Sequence, residues 1–117
     1  MKEQLKALYW VGSSKKELLA LPGEVVDVFG YALHLAQSGL KHGQAKPMKG
    51  LGGVIEVVED FKSDTFRAAY TARFAGAVYV LYCFQKKSKK GIKTPKPDIE
   101  LIRQRFKEAE AHALRKR

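Results

Sequence analysis

Near the N-terminus the chain alternates, with Leu5, Ala7, Tyr9 and Val11 on one side of an extended segment that Gly12 stops. Ser14-Lys-Lys-Glu17 has capping-box spacing, in which Ser14 takes the Glu17 amide and Glu17 reaches back. A short helix over about 14–20 is therefore predicted. Pro22 suits the first turn of a second helix, over 22–38. Along it Val25, Phe29, Ala32, Leu33, Ala36 and Leu40 recur at helical spacing. Gly39 fits its end. Residues 41–53 read as a basic, glycine-rich connection. The period then changes to two, and 54–60, 65–74 and 77–86 are rich in β-branched and aromatic residues. Lys62-Ser-Asp64 and Ala75-Gly76 supply turns, which predicts an antiparallel meander. From Pro97 to about Leu114, Ile99, Ile102, Phe106 and Ala109 form the stripe of a last helix. The basic end, from about residue 110 to 117, is expected to fray. The pattern predicts one α+β domain over 1–117.

A two-residue loop at Ala75-Gly76 sets a register in which Arg73 lies opposite Val78, Ala69 opposite Tyr82 and Arg67 opposite Phe84. Arg67, Tyr82, Phe84 and Lys86 then share one end of one face, with Arg73 at its other end. Phe66, Tyr70, Phe74, Tyr79, Leu81 and Cys83 point the other way. A one-residue slip would undo this placement.

Charge adds what the apolar pattern cannot. A formal charge of +10 and a pI near 9.8 favour nucleic acid, anionic lipid or an acidic protein as partner. Six lysines fall between Lys86 and Lys96 with no acidic residue among them, directly after the most apolar strand. The longest apolar run has ten residues, against the ~20 that span a bilayer as a helix. No membrane partner is expected. The first residues, with Glu3 early, lack a signal peptide's apolar core. A single cysteine, Cys83, excludes an internal disulfide and fits a reducing, cytoplasmic setting.

Lys46-Pro-Met-Lys-Gly-Leu51, a strand with Glu56, Phe66-Arg67-Ala-Ala-Tyr70, Val80-Leu-Tyr-Cys-Phe-Gln-Lys-Lys87 and a Lys/Thr-Pro segment before the last helix follow one another in order. From Lys46 to Ala109 the chain resembles the HigB-like, phage-derived branch of the RelE/ParE toxin superfamily. The resemblance implies a RelE-like α+β fold: an N-terminal strand and two helices packed on a mainly antiparallel sheet, with a C-terminal helix. It implies a toxin neutralised by a cognate helix-turn-helix antitoxin, monomeric alone and of higher order with it. RelE-like members cleave mRNA on the ribosome without metal or cofactor. ParE-like members poison DNA gyrase on the same scaffold, and a basic nucleic-acid-binding module without toxicity is a third outcome. Two departures remove polar groups from the implied site. Val57-Val58 follows Glu56 where relatives often carry arginine, and Tyr82 stands where they often carry histidine.

Metal-free RNA cleavage needs the 2′-oxygen deprotonated, the 5′-oxygen protonated and the phosphorane's charge stabilised. Arginine clamps phosphate but stays protonated, which casts Arg67 and Arg73 as phosphate holders. Lys86 or Lys87 is then the electrostatic stabiliser or acid, with Tyr82 or Tyr70 donating a hydrogen bond. Lys46, Lys49, Phe84, Lys89, Lys90 and Lys93 are the expected RNA contacts. Against these stand plainer roles: Arg67 or Arg73 paired to Glu56 or Glu59, Phe84 in the core, and surface lysines serving solubility. Glu56, Glu59 and Asp60 read as a solvated strand edge. His34 reads as a solvated residue on a helix's polar face, and His42 and His112 have no Cys, Asp or Glu at metal-ligand spacing.

Overall fold

The computed structural model describes residues 4–86 and 94–116. The elements are β1 (Ala7–Trp10), α1 (Ser14–Leu19), α2 (Gly23–Gln37), β2 (Ala45–Pro47), β3 (Ile55–Phe61), β4 (Asp64–Thr71), β5 (Ala77–Lys86) and α3 (Lys96–Arg115). They form a five-stranded sheet in the order β1-β5-β4-β3-β2. Among the described residues only the β1–β5 pair is parallel; the β2–β3, β3–β4 and β4–β5 pairs are antiparallel. This α+β architecture is compatible with the RelE-like fold.

α1 and α2 cover one face, where Leu18, Val25, Phe29 and Leu33 meet Val57, Phe66, Tyr70, Val80 and Cys83. α3 covers the other face, its Ile102 and Ala109 buried with Val54, Ala69, Tyr79 and Leu81. The apolar stripes read along α2 and α3 are thus the two surfaces that clamp the sheet. Leu40 leaves the stripe once α2 has ended and is 62% exposed. α3 continues to Arg115, and Lys116 sits over the Tyr9 ring, so most of the segment expected to fray is helical.

Three local expectations are corrected. Ser14 is no cap: its buried hydroxyl donates to the Val80 carbonyl at 3.1 Å, and Ser13 occupies the cap position instead. Within the connection 41–53, Ala45–Pro47 forms an edge strand against β3. It is too short to show alternation, and its proline is tolerated only at an edge. The third correction is the β4–β5 register. Arg67 faces Phe84 and Ala69 faces Tyr82 as expected, but Tyr70 then faces Val80 and Thr71 faces Tyr79.

Leu81 is therefore the extra residue of a β-bulge, which flips the phase of β5 beyond it. Tyr79 and Leu81 turn toward α3, while Phe66, Tyr70 and Cys83 stay on the α1/α2 side. At the other hairpin Lys62 and Ser63 both adopt positive φ, 49° and 71°, the primed geometry that suits the strand twist.

Candidate functional site

The face toward α3 carries a charged cluster at the C-terminal end of β5. Cross-strand pairing sets it: Lys46 of β2 lies opposite Glu56 of β3, and Arg67 of β4 opposite Phe84 of β5. Two residues on, Lys86 shares that face. Arg67 Nη1 donates to Glu56 Oε2 at 2.8 Å and to Thr94 Oγ1 at 2.9 Å, just before α3. Lys46 Nζ stands 4.0 Å from Glu56 Oε1 with its side chain more than half exposed. Glu56, Arg67 and Lys86 are all buried. Glu56 is thus no solvated strand edge; it is the carboxylate around which three cations gather.

Burial, and then the Arg67 guanidinium, lower the Lys86 ammonium below its ordinary value; Glu56 opposes this and Lys46 adds to it. A lysine so placed gives up its proton more readily than a solvated one. Beside it Tyr82 and Phe84 stack at 4.3 Å and 13°. The Tyr82 hydroxyl donates to Asp98 Oδ1 at 3.3 Å, and the Arg105 guanidinium lies 5.5 Å from the ring centroid. Burial, and after it Asp98, raise the Tyr82 phenol. Tyr82 is a hydrogen-bond donor committed to α3. Phe84, 6% exposed, has no open face for a base.

Of the remaining sequence-based candidates, Lys49 lies exposed in the turn after β2. Tyr70 is buried on the opposite side of the sheet, where burial raises its phenol. Arg73 does not join the cluster. β4 ends at Thr71, and Arg73 is an exposed residue of the loop beyond it. The strand from Arg67 to Thr71 alone spans roughly 13 Å. Lys87, Lys89, Lys90 and Lys93 lie outside the described residues.

Glu59 accepts from Gln44 at 2.6 Å, so Glu56 is the carboxylate that pairs with Arg67. His42 Nδ1 accepts the Gln44 amide, and His112 Nδ1 lies 2.7 Å from the Tyr79 hydroxyl. Among the described residues no three His, Cys, Asp or Glu side chains gather as metal ligands.

Arg105 is the residue that pattern reading missed. It fills the middle of the α3 stripe, three residues after Ile102 and four before Ala109, and that position is its only signal in the sequence. Its guanidinium spans Glu17 Oε1 and Oε2 at 2.8 and 2.9 Å, with the Leu81 carbonyl at 2.9 Å. The fork thus also donates to the carbonyl of the bulge residue.

Burial pushes the Cys83 thiol up to about 12. At pH 8 the native protein should react with a thiol-selective disulfide reagent roughly a thousandfold more slowly than an ordinary cysteine. Stopped-flow absorbance checks this; comparable rates for native and urea-unfolded protein would contradict it.

No helix is long and apolar enough to cross a membrane among the described residues. A search of curated proteins gives no significant match. Residues 16–107 match the family described as phage-derived protein, Gp49-like. Membership in that family is consistent with the toxin of a toxin–antitoxin pair, and such a toxin has an antitoxin as partner. With most of its length covered by that match, the chain belongs to the phage-derived, Gp49-like protein family.

Proposed function

We propose that this protein is the toxin of a HigB-like pair in the RelE/ParE superfamily, acting in the cytoplasm as a metal-independent endonuclease on mRNA during translation. The observation that carries the proposal is the gathering of Lys46, Arg67 and Lys86 around Glu56, at the base of the lysine-rich segment 87–93. In this reading Glu56 holds Arg67, whose buried guanidinium supplies positive charge beneath the scissile phosphate, and the exposed Lys46 contacts the phosphate directly. Lys86, its ammonium disfavoured by burial, exchanges a proton with the reacting oxygens. Charge stabilisation and proton transfer of this kind are each worth about 10²-fold or more. Phe84 and Tyr82 support the floor of the site. A helix-turn-helix antitoxin and the ribosome are its partners.

Expression of the chain should arrest growth and cut transcripts within coding sequence. Removing a reporter's start codon should protect that transcript. Intact transcripts in arrested cells would overturn the proposal.

One feature of the site favours a second reading. Arg67 already hydrogen-bonds Glu56 and Thr94, and Tyr82 bonds Asp98, which suits a face preordered for binding without chemistry. A gyrase-binding toxin would arrest growth with intact mRNA and an induced DNA-damage response.

A further inference from the structure

At the opposite end of the sheet from Lys86, a shallow groove runs between the end of α2, the residue before β1, the start of β3 and the end of β4. Its floor is aliphatic, formed by Ala36, Ile55 and Ala72, with the largely exposed Leu40 at its lip. Lys6, Lys41 and Arg73 rim it, and no carboxylate lines it. None of the three cations forms an ion pair among the described residues.

Hydrogen bonds fix the backbone at two of these residues. The Lys6 amide donates to the Gln37 carbonyl at 2.9 Å, and Gln37 Nε2 donates back to the Lys6 carbonyl at 2.8 Å. The Arg73 amide donates to Thr71 Oγ1 at 3.2 Å, whose hydroxyl donates to the Gly53 carbonyl at 2.6 Å. Gly53, at φ +89°, lets the Arg73 side chain lie across it. A Cβ there would stand 3.0 Å from Arg73 Cδ.

We infer that this groove docks an acidic segment of a protein partner, one that carries aliphatic side chains between its carboxylates. Three cations over an aliphatic floor match carboxylates flanking leucine or isoleucine, and the chain's +10 charge draws such a segment in. A nucleic-acid strand uses the cations but leaves the floor unused. Its bases need an open aromatic face, and Tyr70, the one aromatic residue lining the groove, is 2% exposed. Arg73, remote from Arg67, gains a binding role. The toxin–antitoxin reading enters here only in naming the antitoxin as the carrier of the segment.

The test is an amide-resolved NMR titration of the full chain with a twenty-residue helical peptide, leucines along one stripe and glutamates beside it. The expected shifts cluster at Lys6, Gln37 to Lys41, Gly53, Ile55 and Arg73. Arg73→Glu and Lys41→Glu should each weaken binding at least tenfold, and the lysine version of the peptide should not bind. Leu40→Ser, at an exposed site, should weaken binding severalfold with unchanged melting temperature. Shifts centred on Arg67 and Lys86, no binding, or tighter binding of oligouridylate at the same amides would each overturn the inference. Transcript cleavage by Lys41→Glu, scored separately, should match the unmodified chain. Failure of the groove is thereby distinguishable from failure of the nuclease reading.

Discussion

Arg105→Ala should cost this domain about 3–5 kcal/mol of folding stability, a large share of a total that is typically 5–15. The substitution takes the cation from Glu17, which keeps the Ser13 hydroxyl, and removes the side-chain donor to the buried Leu81 carbonyl. Arg105 and Glu17 side chains are 10% and 22% exposed, so water relieves part of the loss and sets the result toward the lower figure. Arg105→Lys should recover less than half, because one ammonium cannot span both carboxylate oxygens and the bulge carbonyl together. Urea unfolding followed by circular dichroism measures the difference. A loss below about 1 kcal/mol would mean that the bridge behaves as an exposed ion pair.

Lys86→Met should do the reverse, abolishing toxicity while raising the melting temperature. On the activity side, losing a proton-exchanging or charge-stabilising group from the cluster costs about 10²–10³-fold. On the stability side, burial and Arg67 lower the Lys86 ammonium in the folded state. Below that lowered value both folded and unfolded chains hold the proton, and the folded state bears the full cost of the buried charge. As pH rises from the lowered value toward the ordinary ~10.4, the folded chain sheds a proton that the unfolded chain keeps, and the cost fades. Methionine of similar length removes the charge at every pH. The melting-temperature advantage of Lys86→Met should therefore be larger at pH 7 than at pH 10. Calorimetry across that range checks the sign. A variant that is less stable at pH 7 would show that Lys86 contributes to the fold through Glu56.

Arg67→Ala discriminates less well. Arg67 and Glu56 are a buried pair 2.8 Å apart, and removing either partner leaves the other unmatched. Lost toxicity there could follow from unfolding alone. Lys86→Met separates chemistry from stability because the two effects have opposite signs.

Much of the architecture was legible because its signals are local. The α2 stripe from Val25 to Ala36, the α3 stripe from Ile99 to Ala109 and the three long strands each carry their period within one element. The Arg67–Phe84 and Ala69–Tyr82 pairs match a count from a two-residue Ala75-Gly76 loop, but the pairs nearer that turn are one residue out of that register, and the bulge makes up the difference. The same counting misplaced Arg73, Tyr79 and Leu81. The bulge at Leu81 accepts a hydrogen bond from Arg105 of α3, and no alternation within the strands announces it. Ser14 misled for a like reason, since its hydroxyl bonds Val80, distant in sequence.

The candidate site was half legible. Shared parity along β4 and β5 brought Arg67 and Lys86 onto one face. Glu56 looked like a solvated acid because β2, which covers its flank, is three residues long and carries no pattern. Arg73 shares the parity of Arg67 but lies beyond the end of β4, where parity ceases to predict a face.

The central claim is that the Lys46–Glu56–Arg67–Lys86 cluster promotes attack of a ribose 2′-oxygen on its own phosphate. The most direct measurement is the chemistry of transcript ends in cells expressing the chain. The account predicts 5′-hydroxyl and 2′,3′-cyclic phosphate ends inside translated coding sequence, and none with Lys86→Met. New ends that carry 5′-phosphate, or growth arrest with every transcript whole, would contradict it.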